Sequence, residues 1–174
     1  MRSSGHVAAL WDALEAGSIQ QVSSDHAPFR FEDQKTRGCD DFTKIPNGLP
    51  GIETRLPLLF TEGVSAGRIS PERFVELTSS DPARIFGLHP RKGSLNVGAD
   101  ADLIVIDPER EVVVDPAVLH SNVDYSPYQG MRLRGFPTWT VSRGEVIVDH
   151  GSLSAVRGRG CQVERTPIEV PSLP

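Results

Sequence analysis

Leu10, Trp11, Ala13 and Leu14 return at the 3.6-residue spacing of a helix, and Gly17 stands where such a helix would stop. Only Ser18 separates it from the apolar–polar run Ile19-Gln20-Gln21-Val22, which leads into "SSDHAPF" and predicts a buried strand over Ile19 to Ser23. A helix joined to a strand by so short a connection is the αβ half of a βαβ unit. From Asp25 to Gly51 no period survives. Pro28, Gly38, Pro46, Gly48, Pro50 and Gly51 punctuate a loop of a length usually reserved for function. Helical spacing resumes with Ile52, Leu56, Leu59, Phe60 and Val64, where Pro57 is tolerable only in the first turn. Ser70-Pro71-Glu72 is a start signal, with Ser70 as N-cap, and Asp81-Pro82 predicts a second start for a short helix closed by Gly87.

After Pro90 the pattern changes. "ADLIVID" (Ala101 to Asp107) and "REVVVD" (Arg110 to Asp115) are short β runs, and "TWTVSRGEVIVDHG" (Thr138 to Gly151) predicts a hairpin turning at Arg143-Gly144. A helical, αβ-like part over residues 1–90 therefore gives way to an all-β part over 91–156. Residues 157–174, rich in Gly and Pro and poor in apolar side chains, are expected to form an extended or disordered tail. No internal repeat is visible.

Composition narrows the functional classes. The 174 residues are 38% hydrophobic and 24% charged, with no apolar run long enough to span a bilayer, so a globular, non-membrane protein is expected. A net charge of −5 without a basic stripe argues against a nucleic-acid partner. The stretch from Met1 to His6 lacks the apolar core of a secretory signal. Cys39 and Cys161 lie far apart without metal-ligand spacing, which suits a reduced pair in the cytoplasm.

"SSDHAPF", "QKTRGCDDFTKIPNGLPGIETRLPLLFTEGV", "PARIFGL", "RKGSLNVGADADLIVIDP" and "NVDYSPYQGM" resemble the C-terminal portion of dihydropyrimidinases and hydantoinases, cyclic amidohydrolases of the metal-dependent amidohydrolase superfamily. The resemblance runs from about Leu10 to Gly151 and is most specific in "DFTKIPNGLPG" and "NVDYSPYQG". It implies an α/β fold: the C-terminal part of a (β/α)8 barrel, comprising the last strand, Ile19 to Ser23, and its flanking helices, followed by a β-sandwich segment. It also implies a homotetramer acting on a small cyclic amide or ureide. A complete barrel takes about 250 residues, so the chain is expected to be one piece of such an enzyme.

Asp25 stands at the carboxyl end of the predicted strand, where barrel enzymes place catalytic groups. The resemblance makes it a metal ligand and a proton shuttle between the attacking water oxygen and the leaving nitrogen. An amide nitrogen leaves poorly unless protonated, and one carboxylate facing both water and nitrogen can serve both steps. Read without the resemblance, Asp25 is equally a turn cap. His26 points to the opposite side and is expected to be a hydrogen-bonded structural histidine. "PNGLPG" fixes a backbone path, and the resemblance has Asn47 contact the substrate ring through its main chain; an ordinary tight turn is the alternative. Asp40-Asp41 reads as a solvated pair, and Tyr125 and Tyr128 as packing residues. The family's two zinc ions, or other divalent metals, are held by a His-x-His pair, a bridging carboxylated lysine and two further histidines. The five histidines here, including His89, His120 and His150, do not match those positions. Asp25 is the one matching ligand, so the chain alone is expected to be inactive. A silent assembly module like the collapsin response mediator proteins and a related allantoinase or dihydroorotase are the alternatives.

Overall fold

The computed structural model describes residues 4–167, in which a helical run precedes a β run. Helix α1 (Ser4–Glu15) ends as its glycine predicts: Gly17 takes φ +76, and the Ser18 and Ile19 N–H groups both donate to the Ala13 carbonyl. Its Leu14 joins Leu59, Ile69, Phe74 and Leu77 in the main apolar cluster. Helix α2 (Arg55–Leu59) continues in π-helical turns over Phe60–Ser65. Pro57 is its third residue, so the missing N–H falls among donors that lack an intrahelical partner anyway. Ile52 lies ahead of α2 and is exposed.

Helix α3 (Pro71–Val75) is capped as expected, Ser70 Oγ accepting from the Arg73 N–H at 3.1 Å. The second start, at Asp81, is not a separate helix. π-Helical turns over Glu76–Ser80 carry α3 directly into α4 (Asp81–Ile85), and Ser80 there makes no side-chain cap. The wider turns accommodate Pro82, which an unbroken α-helix would not. The Asp81 carboxylate pairs instead with Arg84 (2.8 Å) and Arg73 (3.5 Å).

The predicted strand Ile19–Ser23 has no ladder, because among the described residues no strand runs beside it. Helical residues hold its backbone instead. The Val22 N–H donates to the Leu77 carbonyl at 3.2 Å. Arg73 donates to the carbonyls of Leu14 (2.9 Å) and Ile19 (2.7 Å), and Arg55 to that of Val22 (2.6 Å). Ile19 and Val22 lean on the apolar cluster.

In the β run, β1 (Leu103–Ile106), β4 (Pro137–Ser142), β5 (Glu145–Asp149) and β6 (Ser152–Leu153) form an antiparallel sheet in the order β1-β4-β5-β6, with Ile104 opposite Thr140 and Thr140 opposite Val148. The β4–β5 hairpin turns where expected, Arg143 and Gly144 taking φ 52 and φ 79. The expected run from Arg110 shortens to β2 (Val112–Val113), which pairs with β3 (Arg132–Leu133) over the buried Val114 and Leu133. Residues 157–167 carry no helix or strand, yet they are docked. Arg159 donates to the Ser142 carbonyl and pairs with Glu145, and the Thr166 N–H donates to the Gly87 carbonyl. The remainder of the expected tail, 168–174, lies outside the described residues. The chain exposes 11,913 Å² at 19.0 kDa, where a compact monomer of that mass would expose about 8,400 Å².

Candidate functional site

Asp25 is exposed, and among the described residues its carboxylate has no hydrogen-bond or ion-pair partner. The cap bond that a turn-forming aspartate would make is therefore missing. Asp25 opens on a cleft of about 480 Å³. Leu10 and Trp11 of α1, Val22, and Leu59 give the cleft an apolar wall, while Arg55 and Glu62 add charge. Burial pulls the Arg55 guanidinium below its ordinary pKa while it holds the Val22 carbonyl, three residues before Asp25.

Leu49, Pro50 and Gly51 of "PNGLPG" form the facing wall, together with Tyr128. His26 fastens that turn to the Asp25 segment. Its Nδ1 accepts from the Gly51 N–H at 3.1 Å and the Ile52 N–H at 3.4 Å, so Nδ1 carries no proton in this geometry. This is the structural role expected of it. Ala27 donates to the Leu49 carbonyl at 3.1 Å, and Gly48 packs so closely on Ala27 that an added Cβ would lie 2.5 Å from the Ala27 Cβ. With φ +89, Gly48 is a position for glycine on both counts. Asn47 is exposed just before it and lies outside the lining of the cleft. Tyr128, expected to serve packing, lines the cleft.

The β run braces this loop from behind. The Asp124 carboxylate accepts from the Phe31 N–H (2.6 Å) and the Glu32 N–H (2.9 Å), which hold it below the usual aspartate pKa. Tyr125 meets the Phe31 ring edge-on at 5.8 Å. Glu53 accepts from the His120 N–H (2.8 Å) and faces His120 Nδ1 at 2.7 Å, an interaction that raises the imidazole pKa. The hydrogen-bonded partners among these lie 67 to 93 residues apart, and no local pattern marks them. Cys39 and Cys161 are free and exposed.

Among the described residues no group of three or more His, Cys, Asp or Glu side chains could hold a metal ion. A catalytic zinc site takes three protein ligands. Asp25, unpartnered and facing a cleft, suits one oxygen ligand and does not make a metal site alone. His120 and His150 are engaged with Glu53 and Asp149.

A sequence model of the amidohydrolase family matches residues 1–147. The chain is 46% identical over 164 residues to the D-phenylhydantoinase of Escherichia coli O81 (strain ED1a), covering 94% of this chain and 36% of that one. Among solved structures, the D-hydantoinase of Bacillus sp. AR9 is similar with a TM-score of 0.94 at 43% identity, over 98% of this chain and 37% of that one. The dihydropyrimidinase of Brevibacillus agri NCHU1002 is similar with a TM-score of 0.94 at 42% identity, again over 98% and 37%. The chain thus spans about a third of the length of these relatives.

Proposed function

The chain belongs to the amidohydrolase family, and from that premise we propose that it supplies the carboxylate wall of an enzyme that hydrolyses the cyclic amide bond of dihydropyrimidines or hydantoins. The observation that carries this reading is Asp25: a carboxylate without a partner among the described residues, opening on a cleft whose facing wall is the "PNGLPG" turn. Asp25 takes the proton of the attacking water at a carboxylate oxygen and delivers it to the departing ring nitrogen. Asn47 orients the ring through its main chain. The family is generally metal-dependent; two zinc ions, or other divalent metals, are the cofactors of this reading, and such an ion would supply an activated water when bound. Asp25 is the residue here that would hold one of them, the other ligands coming from the remaining two thirds of such an enzyme.

In this reading residues 1–90 are the C-terminal piece of a (β/α)8 barrel with Ile19 to Ser23 as its last strand, 91–156 a β-sandwich segment and 157–174 a tail. The one-sided support of Ile19–Ser23, held by helical residues and open toward an apolar cleft, suits a barrel strand whose neighbours lie elsewhere. The complete enzyme would be a cytoplasmic homotetramer, a setting compatible with free, exposed thiols.

The test is a hybrid in which this chain replaces the corresponding third of a D-hydantoinase. Metal-dependent ring opening of hydantoin or dihydrouracil is expected, and none from the 174-residue chain alone. A folded, metal-loaded hybrid without turnover would favour a silent assembly module instead.

A further inference from the structure

The backbone on either side of Asn47 converges on one ammonium group. Lys35 Nζ donates to the Pro46 carbonyl at 2.6 Å and to the Gly48 carbonyl at 2.8 Å. The same Nζ lies 5.8 Å from the centre of the Phe29 ring. Lys35 is itself fixed. It begins the 3₁₀ turn Lys35–Gly38, its N–H donates to the Arg30 carbonyl, and the residues just before it are tied to Asp124. With both neighbouring carbonyls turned toward Lys35, Asn47's own N–H and carbonyl make no hydrogen bond among the described residues. Pro46 and Pro50 have no N–H to donate, and the other bonds of the turn, Ala27 to Leu49 and Gly51 to His26, lie on the C-terminal side of Asn47.

We propose that Lys35 is the positioning residue of the Asn47 turn: its ammonium group fixes the Pro46 and Gly48 carbonyls and so presents the main chain of Asn47 to a ligand. Three donors on one compact charge can hold two carbonyls at once, which a neutral side chain of that length cannot do. The proposal deepens the reading given above and rests on it for the ligand, a planar cyclic amide. Its geometry does not depend on that reading.

Amide hydrogen exchange by mass spectrometry on the 174-residue chain tests it without any substrate. The reporters are the Ala27 N–H, bonded to Leu49, and the Gly51 N–H, bonded to His26. Lys35→Met, which keeps the stem and removes the donors, is expected to speed exchange over residues 26–29 and 49–52 at least about tenfold, a loss of about 1.4 kcal/mol of local protection. Exchange at residues 73–78 in the core should not change. Lys35→Arg, which keeps charge and donors, should restore most of the protection, a rescue that simple loss of packing would not show. If Lys35→Met also loosens the core, Lys35→Leu, which likewise carries no donor, decides in the same way. Unchanged exchange at both reporters would overturn the proposal, as would an Arg variant as fast as the Met variant. Either result leaves the chemistry of Asp25 standing, and an inactive enzyme leaves the clamp standing.

Discussion

Asp25 keeps its full acceptor capacity because the loop around it is held by other residues: His26 by its ring nitrogen, Gly48 by its close approach to Ala27, Lys35 by its ammonium group. In the hybrid enzyme, Asp25→Asn should preserve size and packing while losing the proton-accepting oxygen. A positioned general acid–base group contributes about 10²–10⁴-fold in rate, and the proposed part of Asp25 in holding metal would add to the loss. Asn47→Ala should be milder, because a main-chain contact survives truncation of the side chain. The measurement is kcat/KM for both variants with metal content checked in parallel; an Asp25→Asn enzyme keeping more than about a tenth of the activity would fall below that range and remove Asp25 from the chemistry. The place of Asp25 and His26 at the end of a strand-like run is a local pattern and legible in the sequence, whereas the choice between a turn cap and a carboxylate free of a cap bond was left open by that pattern. Lys35 and Asp124 were not legible, since what marks them is the carbonyl or N–H group they meet after folding.

The same division holds for whole elements. The α1 stop at Gly17, the Ser70 cap and the Arg143-Gly144 hairpin are local chemistry, and each stands where the sequence put it. Ile19–Ser23 and Asp81 turned out differently because their fate depends on neighbours: a strand needs a ladder partner, and a Ser/Asp-Pro start yields when the preceding helix can widen and run on. Arg73 is the joint between these elements. Its side chain is only 15% exposed and reaches Glu76, Asp81 and the carbonyls of Leu14 and Ile19. Arg73→Met would leave the Leu14 and Ile19 carbonyls without their donor and Asp81 paired with Arg84 alone, so a loss of about 2 kcal/mol is expected, read as a lower denaturation midpoint. A loss within about 0.5 kcal/mol, the scale of ordinary surface changes, would mean that Ile19 and Leu14 are held by packing alone.

Across the whole molecule, the helical and β runs meet through polar contacts that include Asp124 with Phe31 and Glu32, Thr61 with Arg134, and Glu53 with His120. Glu53 raises the His120 pKa above its ordinary 6.5. A raised folded-state pKa gives stability that is complete below the unfolded value and lost as pH rises through the folded one. The difference in Tm between the natural chain and a His120→Gln variant should therefore be larger at about pH 6 than at about pH 9, and small throughout because the imidazole is exposed. A difference that grows toward high pH would have the wrong sign for this pair. The larger force at this scale is uncovered surface. The chain exposes 11,913 Å² against about 8,400 Å² for a compact monomer of its mass. Val7 and Leu10 on α1 are nearly half exposed, and β1 lies at the sheet edge with Ile104 and Val105 each 39% exposed. Open strand edges and apolar faces recruit other chains when their own partners are absent. The 174-residue chain alone should associate progressively as concentration rises, while the hybrid, in which the rest of the enzyme would cover these faces, should keep one fixed mass, that of the proposed tetramer. Static light scattering on both decides the matter. A monodisperse 174-residue monomer that melts cooperatively would show that the helical and β runs are sufficient to each other, and the faces of α1 and β1 would then need no covering.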